Sequence, residues 1–160
     1  MDSRFFNDIR EKQGFAYSPY SELTPRKDTA TFMGVMQVRN EVVQPAIQSM
    51  LAHMMRIGKE RATAEELSAA KNFIAGAFVL RLETQDGLTG QLYNTLIAGL
   101  PITYLENYVT RIRQVEPDQI QKVAAKYFDP SRAVIVVVGD AAKIQPALGK
   151  FGAVEVVTAK

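Results

Sequence analysis

The chain carries one histidine and no cysteine among its 160 residues, so any catalytic chemistry of its own would have to pass through His53 or through carboxylates and hydroxyls. A zinc site needs three ligands of the His, Glu, Asp or Cys type and a base within reach of the bound water. His53 stands in AHMMRIG with no second histidine four residues away and no acidic neighbour at ligand spacing, so H-E-x-x-H and H-x-x-E-H are both absent. The same count is read as excluding a Ser-His-Asp or Cys-His arrangement, and His53 is expected on a helix face without a catalytic role. Gly34, Gly76, Gly87, Gly90 and Gly99 form neither of the common phosphate-loop patterns. VVVGDAAK places a glycine between an apolar run and a helix, where a plain turn with Asp140 as N-cap is expected. Glu60, Glu65 and Glu66 read as a helix cap and a solvated face, not as metal ligands. By residue type alone, Arg10 beside Glu11 and Lys12 is a solvated helix position, and Tyr17 is half-buried packing at the opening of a strand.

The elements that would position these groups follow from periodicity and punctuation. Ser3 as N-cap, Phe5, Phe6 and Ile9 as an apolar stripe and Gly14 as a left-handed stop predict a helix over 3–13. FAYSPYSEL, interrupted by Pro19, and TATFMGVMQVR predict an antiparallel hairpin, with 29–39 a central strand covered on both faces. A helix from Val43 to Ile57 follows, with Pro45 in its first turn and Gly58 closing it. The capping box Thr63 to Glu66 opens a long helix to about residue 83, whose inner face includes Phe73, Phe78 and Leu80. Further helices are predicted over 86–99, around Tyr104 to Arg111, and from Glu116-Pro117-Asp118 to Tyr127. RAVIVVVGD predicts a strand buried on both faces, then a short helix Ala141 to Leu148 and a last strand AVEVV. This order predicts a single α+β domain over 1–160, with a mixed or antiparallel sheet and a layer of helices on one side.

Three blocks resemble one family. SRFFNDIREKQGFAYS is similar to S-R-L-x-x-x-L-R-E-x-x-G-L-A-Y-S of the second, non-metal domain or subunit of insulinase-type (pitrilysin) zinc peptidases, which include the mitochondrial processing peptidases. ATAEELSAAKNFIAGAFVLRLE and VEPDQIQKVAAKYFDPSRAVIVVVGD resemble two further family segments in the same order. The resemblance implies half of a clamshell: one half carries H-x-x-E-H and zinc, and the other closes over an extended peptide and contributes an Arg and a Tyr. Carried over, that pair is Arg10 and Tyr17. Arg10 lies one helical turn, about 6 Å, before Gly14, and Tyr17 lies about 10 Å of extended chain after it. A reversal at Gly14 lets the two side chains converge.

The resemblance further implies that this chain has no catalytic residues or metal of its own, that zinc belongs to a metal-bearing partner half in the same polypeptide or a separate subunit, and that the ligand is a peptide. Family domains begin with a strand and helix that precede the S-R-L segment, so the chain is expected to be an N-terminally truncated half-domain with an uncovered edge beside 29–39. Such an edge predicts a homo-oligomer by strand pairing. Two other readings stand beside the peptidase: a non-peptidase assembly subunit of the same fold, and an unrelated α+β binding module. A net charge of +2 with scattered basic residues gives no reason to expect nucleic acid. A composition 47% hydrophobic and 22% charged is enough for a buried core, and no apolar run approaches the roughly 20 residues of a membrane span. The compartment is left open between bacterial periplasm and cytoplasm.

Overall fold

A computed structural model describes residues 3–157; Met1, Asp2 and residues 158–160, which complete the predicted 1–160 domain, lie outside the described residues. Ser3 caps the first turn, its Oγ accepting from the Phe6 amide at 3.1 Å. The α-helical part, α1, covers only Arg4–Phe6. From Asn7 to Lys12 the backbone winds as a π-helix, and the Gln13 amide donates five residues back to the Asp8 carbonyl at 3.0 Å. Gly14 then turns the chain at φ 61°, a setting that costs a side chain-bearing residue about 1–2 kcal/mol.

Pro19, which has no N–H for a ladder, holds the strand back until Tyr20. Strand β1 (Tyr20–Pro25) pairs antiparallel with β2 (Ala30–Val35), from Tyr20 opposite Val35 to Pro25 opposite Ala30. A single bridge between Ala16 and Val38 carries the pairing past Pro19. The rest is helical: α2 (Val43–Lys59), α3 (Ala64–Leu82), α4 (Gln85–Ile97), α5 (Thr103–Glu106), α6 (Tyr108–Arg113), α7 (Pro117–Tyr127) and α8 (Ala141–Leu148). The core joins Val43 and Ile47 of α2 to Ile144 of α8, with Val38, Leu51, Val137 and Phe151 around them. Among the described residues, no helix is long and apolar enough to cross a membrane.

The α+β class holds, and several predicted details do not. β2 is not a covered central strand; its Phe32 and Met33 are exposed. RAVIVVVGD is not a strand either. After a 3-10 turn at Pro130–Arg132 it runs on without a ladder partner among the described residues. Its alternation survives, with Val137 against the core while Val134, Val136 and Val138 point away, Val138 with 96% of its surface exposed. A β-branched run supplies propensity, but a strand also needs a neighbour to exchange hydrogen bonds with. AVEVV likewise has no ladder partner among the described residues. The helix predicted near 104–111 is two pieces, broken at Asn107, whose amide side chain donates to the Thr103 carbonyl at 2.8 Å. On α3, Phe73 is 77% exposed and Leu80 is exposed, while Ala75 and Phe78 face inward. Gly58 does not close α2, which continues to Lys59. A Cβ at Gly58 would stand 3.0 Å from the Ala125 backbone, so the glycine permits α7 to approach α2.

Helix ends follow their caps. Thr63 and Glu66 form the reciprocal box at the start of α3, at 3.2 and 2.8 Å, Glu116 and Gln119 do the same for α7, and Asp140 accepts from the Ala142 amide at the start of α8. Glu66 has a second duty. Arg4 grips it with two N–H groups at 2.6 and 2.7 Å and also donates to the Arg61 carbonyl at 3.1 Å. These bonds fasten the start of the chain to α3. The Arg4 guanidinium, helped by the Thr63 amide, holds the Glu66 carboxyl down at about 2, against an ordinary 4.5. A carboxyl whose folded value lies below its unfolded value stabilises the fold above the unfolded value, and that stability is lost as pH falls through the folded one. The pair is partly solvated, which reduces its worth to about 1 kcal/mol. Urea unfolding measured from pH 5 down to 2 should therefore lose about 1 kcal/mol less in Glu66→Gln than in the parent. Equal slopes in the two proteins would contradict this.

Candidate functional site

The π-helical turn and the left-handed Gly14 together fold the N-terminal segment back on itself and bring Arg10 and Tyr17 into contact. The Arg10 guanidinium lies over the Tyr17 ring, 4.5 Å from its centroid, and 5.0 Å from the centroid of Phe6 on its own helix. Phe6 and Arg10 are four residues apart and so share a helix face; Tyr17 reaches them only because the chain reverses. A cation held over ring faces keeps N–H groups with which to donate. Nε faces Glu11 at 3.2 Å. The Arg10 side chain is 34% exposed and Tyr17 78% exposed, so this is a surface patch and not a cavity. A hollow of about 420 Å³ lined by Leu100, Tyr104, Asn107 and Arg111 lies elsewhere and contains neither residue.

Directly beneath the patch is a polar cluster that residue patterns did not reveal. Asp8, on the π-helical turn, accepts at a single carboxylate oxygen from Gln13 Nε2 at 2.6 Å, Ser49 Oγ at 2.8 Å and His53 Nε2 at 2.8 Å, the last two on α2. Burial alone would push the Asp8 carboxyl up, but the bonds from His53, Ser49 and Gln13 outweigh it and hold the group below its ordinary value. An ionised carboxylate only accepts, so His53 carries its proton on Nε2. Phe5 closes the cluster with its ring edge-on to His53, centroids 6.1 Å apart.

His53 lies on a helix face, as expected, but is half-buried and engaged, not free. Ser49 and His53 both turn toward Asp8, and Ser49 donates its proton to the carboxylate and not to the imidazole. That arrangement sets the hydroxyl on a carboxylate shared with Gln13 and His53 and held below its ordinary value, a weak base, and is not a Ser-His relay. Among the described residues, no three His, Cys, Asp or Glu side chains come close enough to hold a metal ion. Glu60 is paired with Arg56 at 2.5 Å and Glu66 with Arg4.

A small antiparallel hairpin followed by a run of helices, with Arg10 and Tyr17 in contact at its start, is the arrangement that the resemblance to the non-metal domain of insulinase-type peptidases implies. The comparisons agree. Residues 1–74 match the family model described as "Peptidase M16 inactive domain". The structure overlays on the crystal structure of a peptidase M16 inactive domain from Pseudomonas fluorescens with a TM-score of 0.70 and 27% identity, over 78% of this chain and 29% of that one. An uncharacterized zinc protease of Streptomyces coelicolor is 27% identical across 84% of this chain and 30% of its own length. The uncharacterized zinc protease YmxG of Bacillus subtilis is 28% identical across 86% and 34%. A Helicobacter pylori protein named "Non-peptidase homolog YmxG" is 25% identical across 74% and 27%. The chain thus spans about a third of the length of the curated relatives it matches. The resemblance read from the three sequence blocks is borne out.

Proposed function

We propose that this chain is the substrate-gripping part of the non-metal half of a zinc endopeptidase, with Arg10 and Tyr17 meeting an extended peptide. The observation that carries the reading is the pair itself: a guanidinium 4.5 Å over the Tyr17 ring, its side chain 34% exposed, beside an exposed phenol. Arg10 donates to a substrate carbonyl through its free N–H groups. Tyr17 directs its hydroxyl at the scissile carbonyl, where negative charge develops during attack. The zinc and the water it activates belong to a partner half that carries H-x-x-E-H. This chain alone therefore has no peptidase activity.

The test is reconstitution. Zinc content and cleavage of an extended fluorogenic peptide are measured for the chain alone, for a metal-bearing half alone, and for the two combined. The reading expects cleavage to rise on combination and no zinc in this chain by itself. Cleavage by the metal-bearing half that is unchanged on adding this chain would favour the second reading, a non-peptidase assembly subunit, to which the name of the Helicobacter pylori relative lends support.

The outer edge of β2, which pairs with β1 alone among the described residues, supports a further part of the reading. In the absence of the partner half, two copies of the chain pair through it. Light scattering at high micromolar concentration should report a dimer; a monomer there would refute the pairing.

A further inference from the structure

The π-helical turn raises a question of its own, since its geometry is rare, occurs mostly as single turns and is frequent at functional sites. Here it carries the Arg10 side chain. Asp8 and Gln13 explain how it is held. In an α-helix, residues five apart lie about 140° apart around the axis, because each residue turns about 100°. Here the same two residues are joined twice: Gln13 N–H to the Asp8 carbonyl at 3.0 Å, and Gln13 Nε2 to the Asp8 carboxylate at 2.6 Å. The side-chain bond repeats the span of the backbone bond, so it is satisfied by the widened turn and strained by an α-helical one. The same carboxylate oxygen is fastened to α2 through Ser49 and His53. Ser49 also accepts from Gln13 Nε2 at 3.0 Å, which closes the network. Ile9, with no exposed surface, fills the space beside it. Arg10 comes next, on the outward side.

We propose that Asp8 is the positioning residue of the Arg10–Tyr17 site: by gathering Gln13, Ser49 and His53 on one oxygen it locks the widened turn against α2, and thereby fixes the Arg10 guanidinium over the Phe6 and Tyr17 rings. Its importance for peptide cleavage rests on the substrate-contact reading above; the positioning itself does not.

Proton NMR of the full 160-residue chain reads the placement directly, because a guanidinium held over ring faces has its Hδ and Hε resonances displaced upfield. In the parent chain those Arg10 resonances should be shifted, and in Asp8→Ala they should return most of the way to random-coil positions. Asp8→Asn, which keeps an acceptor oxygen but loses the charge, should give an intermediate shift. His53→Phe and Ser49→Ala each remove one donor and should give smaller losses. They also keep the experiment decisive if Asp8→Ala does not fold. Arg10 resonances that stay upfield in folded Asp8→Ala, or in both donor variants, would overturn the proposal. A role confined to stability would lower the melting temperature and leave the shifts in place, which also counts against it. The reconstituted peptidase separates the two readings. If Asp8→Ala frees Arg10 and cleavage is unchanged, positioning stands and the substrate-contact reading falls. If cleavage drops while Arg10 stays stacked, Asp8 acts by another route and the positioning proposal falls.

Discussion

Arg10→Ala, tested in a reconstituted peptidase, is expected to cut peptide cleavage by on the order of 100-fold, the usual scale for losing a donor that meets developing charge. That is about 2.7 kcal/mol of transition-state stabilisation, at 1.36 kcal/mol per tenfold. Tyr17→Phe should have a similar effect for a different reason. It leaves the ring under the guanidinium and takes away only the hydroxyl, so its loss should fall in kcat and not in KM. Arg10→Lys keeps the charge but loses the flat, forked donor set that both stacks and donates, and should resemble Arg10→Ala more than the parent. None of these changes should unfold the chain, since Tyr17 is 78% exposed and the Arg10 side chain 34% exposed. Parent-like cleavage by both Arg10→Ala and Tyr17→Phe would remove the assigned roles.

The largest stability effect is expected from the helical layer. Phe78 of α3 is buried and stacks on Tyr108 of α6, ring centroids 4.2 Å apart and planes 28° from parallel. Phe78→Ala removes that ring and leaves a void between the two helices, a change that typically costs about 3–5 kcal/mol. For a chain of this size the melting temperature should fall by on the order of 10 °C. A second signal accompanies it. Burial pushes the Tyr108 hydroxyl above its ordinary range, with a smaller contribution from Tyr104. Opening the packing should let it titrate at lower pH, which ultraviolet difference spectra can follow. An unchanged melting temperature would show that α6 does not depend on this contact.

What could be read from the sequence was what is written locally. Thr63 and Glu66, Glu116 with Pro117, and Asp140 announce helix starts within three residues of themselves, and all three helices begin there. Pro19 announced the break in the first strand for the same kind of reason. The Arg-Tyr pair became legible through the three family-like blocks, and its convergence followed from the stop at Gly14. Three things were not legible. Whether Ile135 and its neighbours pair depends on another segment's backbone, and a run of valines says nothing of that. The widened turn differs from an α-helix by a single residue in its hydrogen-bond span, which an apolar pattern as short as Phe5, Phe6 and Ile9 cannot distinguish. Asp8 meets Ser49 and His53, and Arg4 meets Glu66, across 41 to 62 residues of chain, and no local pattern marks either end.

Those long spans carry a consequence for how the site behaves over time. Residues 3–17 are held to the helices by a few side-chain ties, Arg4 to Glu66 and Asp8 to Ser49 and His53, by the buried Ile9, and by the one bridge from Ala16 to Val38. Among the described residues, no continuous ladder joins the segment to the rest. It is a docked arm, able to lift off for less free energy than unfolding the α2 and α7 pair demands, so its amide hydrogens should exchange well before those of the helices. If Arg10 and Tyr17 meet a peptide as proposed, the surface is ready only for the fraction of time the arm is seated, and weakening any one of its ties lowers peptide affinity through residues that do not themselves touch the peptide.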